Sequence, residues 1–105
     1  MGFLDFLKGP DINRGIVEYR NTTDAVLIDV RTSPEYRQGH IPDSINIPLP
    51  TIERVTKVID KEETPIFVYC QSGARSRQAA GALRRLGYKN VTDIGGIAMY
   101  HGKVV

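Results

Sequence analysis

Residues 25–30, Ala25-Val26-Leu27-Ile28-Asp29-Val30, form a nearly continuous apolar run. A strand with one solvated face alternates apolar and polar side chains, whereas a strand covered on both faces does not. The run therefore predicts a strand in a parallel sheet sandwiched between helices. Ile66-Phe67-Val68-Tyr69, entered through Pro65, repeats the signal, and residues 91–94 supply another strand. Residues 44–47 read as a shorter strand stopped by Pro48 and Pro50. Helical patterns lie between these runs. Ile12, Ile16 and Tyr19 are spaced as one face of a helix over residues 11–20, followed by the turn cluster Asn21-Thr22-Thr23-Asp24. Ser33-Pro34-Glu35 predicts an N-cap, a proline at the first helical position and an acidic first turn, with Gly39 closing a short helix. Ile52, Val55 and Ile59 share a face over residues 51–60. Over residues 75–86, Ala79, Ala80, Leu83 and Leu86 predict a buried stripe. Arg77, Gln78, Arg84 and Arg85 fall outside it, and Gly87 stands at C′. Strand–helix alternation predicts an α/β fold with right-handed crossovers.

With 105 residues the chain is long enough for one domain and too short for two. Residues 1–9, carrying Phe3, Leu4, Phe6 and Leu7, read as a short N-terminal extension that packs on the domain or frays. Fourteen basic and 12 acidic side chains leave a formal charge of +2, too small an excess to argue for nucleic acid or an anionic membrane surface. No secretory leader pattern and no bilayer-length apolar stretch are visible, so the expectation is no membrane association and a cytoplasmic monomer. One cysteine cannot form an internal disulfide and has no resolving partner. A reducing compartment suits such a thiol. His40 and His101 are not spaced as metal ligands with Cys70, so neither a metal nor a cofactor is expected. His40, in Gly39-His40-Ile41-Pro42, reads as a turn residue whose ring bonds the backbone. Gly95-Gly96 lacks the third glycine of a dinucleotide fingerprint.

The chemistry concentrates where the strand 66–69 meets the only cysteine. Cys70 is followed by the loop Gln71-Ser72-Gly73-Ala74, then Arg75 and Ser76 at the start of a helix. A helix N-terminus presents unpaired N–H groups and partial positive charge, and a tight loop before it can aim further N–H groups inward. Small residues let that backbone close on an anion, and the thiolate is the form of Cys70 that such groups and a nearby guanidinium favour. Cysteine at a strand end can equally be an inert core thiol. The Gln-Ser-Gly-Ala-Arg-Ser loop favours the reactive reading, with Cys70 as nucleophile and residues 71–76 as an anion cradle. Arg75 calls for an anion or, failing that, a carboxylate. Asp29 and Arg31, at the carboxyl end of strand 25–30, read as a structural ion network involving one another or Glu35, or alternatively as part of the pocket rim.

Loop length separates two chemistries. Tyrosine-type phosphatases place the arginine six positions after the cysteine; here Arg75 lies five positions after Cys70 and Ser76 occupies the sixth. The shorter loop encloses a smaller ring of N–H groups, which suits one extra sulfur atom better than a phosphate. A small phosphatase or arsenate reductase is correspondingly disfavoured.

The chain resembles single-domain members of the rhodanese family of sulfurtransferases. The resemblance is carried, in order, by Leu27-Ile28-Asp29-Val30-Arg31, Glu35-Tyr36-Arg37-Gln38-Gly39-His40-Ile41-Pro42, Asn46-Ile47-Pro48 and the loop 70–76. Ala79-Ala80, Leu83, Gly87-Tyr88 and Gly95-Gly96 continue it. It implies a three-layer fold with a mostly parallel five-stranded sheet flanked by helices on both faces. It also implies sulfur transfer from a donor anion such as thiosulfate to a thiol, cyanide or protein acceptor through a Cys70 persulfide. The loop residues Gln71, Ser72, Gly73, Ala74, Arg75 and Ser76 would hold the donor. A sulfur carrier, sensing or protein-interaction module on the same fold is the alternative. Family members often continue from Gly-Gly through an aromatic residue into a further helix. Here Tyr100 stands near that aromatic position and little chain follows.

Overall fold

The computed structural model describes residues 9–105; the extension carrying Phe3, Leu4, Phe6 and Leu7 lies outside the described residues. Helix α1 (Ile12–Arg20) precedes β1 (Val26–Asp29), α2 (Ser33–Gln38), β2 (Ile45–Asn46) and a 3-10 segment (Leu49–Lys57). Then come β3 (Ile66–Cys70), α3 (Ala74–Arg85), β4 (Val91–Gly96) and a 3-10 turn (Ile97–Met99). The sheet order is β2-β1-β3-β4 and every pairing is parallel.

Side-chain alternation along the buried strands divides the core into two layers. Ile28 and Val30 from β1 and its end, with Ile66, Val68 and Cys70 from β3, face α3 and the 3-10 segment. There they meet Ala79, Ala80, Leu83, Ile52, Val55, Ile59 and Tyr88. Leu27, Phe67, Tyr69 and Ile94 point the other way, onto Ile12 and Ile16 of α1 and onto Ile41. All five residues of β3 are buried, as expected for a central strand covered on both faces.

The sequence reading and the structure differ in several places. Among the described residues the sheet has four strands, not the five that the family resemblance implies. At one edge, β2 is only two residues long because Pro48 and Pro50 follow closely. At the other, the chain leaves β4 through the 3-10 turn, and no further helix forms among the described residues after Met99. Instead the main chain of Val105 exchanges two hydrogen bonds with that of His40, 3.0 and 2.9 Å long. Residues 51–60 are not an α-helix. The segment winds as a 3-10 helix from Leu49, with a kink at Thr51 (φ −120°, ψ 31°). Pro50 restricts the residue before it, and Thr51, Ile52, Val55 and Thr56 are β-branched and lose rotamer freedom in an α-helix. The apolar face is nevertheless as expected, since Ile52, Val55 and Ile59 are buried.

The N-cap of α2 is Thr32, not Ser33. Its hydroxyl accepts from the Glu35 N–H at 3.3 Å while a Glu35 carboxylate oxygen accepts from the Thr32 N–H at 3.0 Å, a complete capping box. Leu86, assigned to the buried stripe of α3, is 40% exposed because the helix ends at Arg85. Gly87 does take the C′ position. Its N–H reaches the Arg84 carbonyl and the Tyr88 N–H reaches the Leu83 carbonyl, the paired bonds of a Schellman motif.

Candidate active site

Strand β3 delivers Cys70 to the carboxyl edge of the sheet, and α3 starts four residues later. The intervening turn depends on Gly73, the N-cap of α3, whose φ of +106° is unfavourable for any residue with a Cβ. That conformation turns the Gly73 N–H back onto Cys70, where it donates to Sγ at 3.0 Å. The Cys70 thiol donates in turn to Ser76 Oγ at 3.5 Å. Cys70 is 1% exposed and Ser76 is fully buried. The thiol thus belongs to the apolar layer beneath α3 and also carries a main-chain N–H on its sulfur. An inert core cysteine has no use for the second feature.

Gly95-Gly96 shapes the outer side of the same turn. The β3–β4 register slips between Val68 and Tyr69, so that Val68 pairs with Asp93 but Tyr69 pairs with Gly95. Ile94 is the extra residue of this bulge, and Asp93 Oδ1 secures it by accepting from the Gly95 N–H at 3.0 Å. The slip brings Gly96 against the loop backbone. A Cβ there would come within 2.7 Å of Ser72 Cα and closer still to the Gln71 carbonyl oxygen. Gly96→Ala therefore forces backbone, not a flexible side chain, to move. The expected loss is about 1–3 kcal/mol in thermal denaturation.

Two ion pairs hold the surroundings. Arg31 Nη2 meets Asp29 Oδ2 at 2.7 Å with both side chains buried, and Arg31 Nε donates to both carboxylate oxygens at 3.1 Å. The remaining Arg31 donors reach the Gly39 carbonyl at 2.7 Å and Gln71 Oε1 at 3.3 Å. Desolvation opposes the Arg31 charge, but its hydrogen bonds and charge pairing with Asp29 outweigh it and hold the guanidinium above its ordinary pKa. Arg31 and Asp29 pair with each other, as in the structural ion network that the sequence reading favours over a pocket rim, and Arg31 reaches the loop after Cys70 through Gln71.

Arg75 is engaged by a carboxylate. Its Nη1 and Nη2 donate to Glu35 Oε1 and Oε2 at 2.7 and 2.9 Å, a bidentate pair. The Arg75 hydrogen bonds hold the Glu35 carboxyl down at about 2, against an ordinary 4.5. A carboxyl held low in the folded state contributes stability at pH values above its unfolded pKa and loses it as pH falls through the folded one. The window here runs from about 4.5 down to about 2. The two side chains are 35% and 30% exposed, so solvent screening limits the contribution to about 1 kcal/mol. In melts of wild type and Glu35→Gln, the wild-type advantage is expected to shrink across that window and to be constant above pH 5.

The loop residues expected to form one cradle are thus dispersed in role. Gly73 touches Sγ with its N–H. Gln71 is tied down, its side chain by Arg31 and its carbonyl by the Ala98 N–H at 3.1 Å. Ser72, Gly73 and Ala74 line a neighbouring cleft of about 660 Å³, whose other walls include Asp11, Asn13, Arg77, Asp93 and His101. Ser76 is inside, beside the sulfur. His40 acts as the turn residue expected of it, with Nδ1 2.9 Å from the Tyr36 carbonyl and its ring stacked on that of Tyr36. Sequence reasoning did not pair Glu35 with Arg75. The two are 40 positions apart, and no local signal joins them. The Tyr69 hydroxyl network was also missed. That hydroxyl accepts from the Ile41 N–H at 3.1 Å and lies 3.1 Å from Ser44 Oγ, fixing the residue just before Cys70. Burial pushes its pKa up.

Comparison with known proteins decides the family. The family model described as "Rhodanese-like domain" matches residues 16–102. The chain belongs to the rhodanese-like family. Among curated rhodanese relatives, the Escherichia coli protein named thiosulfate sulfurtransferase PspE is 44% identical over 67% of this chain and 68% of its own length. A protein of Allochromatium vinosum named sulfurtransferase is 40% identical over 78% of each chain. Of solved structures, one titled "rhodanese with anions from E. coli" superposes with a TM-score of 0.72 at 34% identity, covering 77% of this chain and 96% of that one. The rhodanese fold of this chain, with a parallel sheet and helices on both faces, is accordingly shared with proteins named for sulfur transfer.

Proposed function

We propose that this rhodanese-like domain moves a sulfane sulfur from a small anionic donor of the thiosulfate type to a thiophilic acceptor, holding it in between as a Cys70 persulfide. The observation that carries the reading is the Gly73 N–H on Cys70 Sγ, 3.0 Å away, at the junction of β3 and α3. In the first half-reaction a lone pair of the Cys70 thiolate forms an S–S bond to the outer sulfur of thiosulfate. The old S–S bond breaks, and its electron pair leaves with sulfite. In the second, a thiolate or cyanide attacks the outer sulfur of the persulfide, and the S–S electron pair returns to Cys70 Sγ. No general base is needed once the thiol is ionised, and the N–H group opposes charge build-up on sulfur as an oxyanion-hole donor does. Arg75, shared with Glu35, would steer the donor. The relative named thiosulfate sulfurtransferase supports the donor class.

Two displacements through a covalent intermediate require ping-pong kinetics. Initial rates of thiocyanate formation, varied in both thiosulfate and cyanide, are expected to give parallel double-reciprocal lines. Intersecting lines would rule out the persulfide route.

The near-complete burial of Cys70 favours a second reading, a sulfur carrier or sensing module that loads sulfur and delivers it to a specific protein. Persulfide loading at a normal rate, with negligible release to small thiols or cyanide, would select this alternative.

A further inference from the structure

Cys70 Sγ has a second polar neighbour whose role is not absorbed by the cradle. Ser76 Oγ lies 3.5 Å from the sulfur, 3.1 Å from the Gly73 carbonyl and 3.4 Å from the Gly95 carbonyl, and the residue is fully buried. A hydroxyl has one proton to give and rotates to give it where it is most needed. With the thiol neutral, the thiol proton points at Ser76 Oγ and the Ser76 proton goes to a carbonyl. When the sulfur is ionised, it no longer donates and becomes the strongest acceptor within reach of the hydroxyl. The Gly73 carbonyl does not depend on Ser76, because it also accepts from the Arg77 N–H at 3.2 Å. Redirecting the hydroxyl therefore strands no buried group there.

We propose that Ser76 is a catalytic residue of this site: its hydroxyl turns from the Gly73 carbonyl to Cys70 Sγ, giving the thiolate a second donor opposite the Gly73 N–H. The inference rests on the proposed persulfide transfer through Cys70 for its purpose, though not for its geometry. No bond to Ser76 forms or breaks. The thiol proton goes to solvent, and the Ser76 proton stays on its oxygen and changes acceptor. The same rotation serves again when an acceptor removes the outer sulfur and charge returns to Sγ. Burial makes the contact stronger than it would be in water, since no solvent competes for either partner.

Because the chain has one cysteine, its thiol can be followed without interference. Iodoacetamide alkylation of Ser76→Ala at pH 7 is expected to be about tenfold slower than wild type, from loss of a charge-assisted hydrogen bond. At high pH, where every thiol is ionised, the rates should converge. Ser76→Thr, which keeps the hydroxyl, should restore most of the rate. Persulfide formation from thiosulfate should slow in parallel in Ser76→Ala with little change in KM. In the infrared spectrum, the wild-type S–H stretch should lie at the hydrogen-bonded, low-frequency end, and should rise in Ser76→Ala. Alkylation of folded Ser76→Ala within twofold of wild type would overturn the proposal. So would a wild-type thiolate whose ultraviolet absorbance grows in at the pH of a free cysteine, which decides the matter even if the variant does not fold. Neither alkylation nor the infrared band requires a sulfur donor. Failure of the persulfide chemistry would therefore show separately, as wild-type protein that alkylates but never gains sulfur.

Discussion

Cys70→Ser should lower sulfur transfer by a factor on the order of 10³ or more while leaving the fold intact. The reason is chemical, not steric. At neutral pH a few per cent of even an unactivated thiol is the nucleophilic thiolate, whereas a serine hydroxyl is protonated and has no positioned base here to ionise it. A hydroxyl in place of the thiol would still accept from the Gly73 N–H and donate to Ser76 Oγ, so the melting midpoint should shift by no more than the equivalent of about 1 kcal/mol. Thiocyanate production and calorimetry on the same preparation separate the two effects. Residual turnover within tenfold of wild type would mean that another group carries the sulfur. A collapse of stability would mean that Cys70 is chiefly a core residue.

Asp29→Ala should destabilise the domain by about 3–5 kcal/mol, the usual consequence of stripping one partner from a buried ion pair. Asp29 is fully buried and Arg31 only 4% exposed. The carboxylate takes three contacts from the guanidinium and one from the Arg31 backbone N–H at 2.9 Å. Without it, Arg31 retains only the Gly39 carbonyl and Gln71 Oε1, and its charge is left uncompensated away from water. For a domain of this size, whose total stability is of order 5–15 kcal/mol, the loss should lower Tm by 10 °C or more. Asp29→Asn, which keeps the shape and one acceptor oxygen, should lose less. A change in Tm of under about 3 °C in Asp29→Ala would show that water reaches Arg31 and that the pair does not pin the loop.

How far the sequence alone reaches can be judged from these same residues. Residues 25–30 and 66–69 announce buried parallel strands because they lack alternation, and both fall where expected. The helix after the loop is legible from Ala79, Ala80 and Leu83, and its stop from Gly87. Thr32 and Glu35 stand three apart, the spacing of a capping box, and this pairing places the N-cap one residue before the Ser33 that Pro34 suggests. The segment 49–57 kept its apolar face while changing helix type, because burial is set by spacing, whereas helix type also depends on prolines and β-branched residues at its start. Among the described residues four strands stand where the resemblance implies five, because an edge strand is decided by tertiary pairing, as at Val105 and His40, which leaves no local pattern. At the site, Cys70 and its loop stand out because strand, small residues and arginine are contiguous. The carboxylate on Arg75 and the hydroxyl on Tyr69 depend on contacts across 40 and 25–28 positions, which composition and periodicity do not encode.

The central claim is that the sulfur of Cys70, held by the Gly73 N–H, accepts and surrenders a single extra sulfur atom. Intact-mass and peptide mass spectrometry of the wild-type protein after incubation with thiosulfate, then with cyanide, test it most directly. The account predicts a gain of one sulfur atom confined to the peptide containing Cys70, and its complete loss on adding cyanide. Folded protein that gains no sulfur from thiosulfate or from an organic persulfide, or that gains it elsewhere than Cys70, would contradict it.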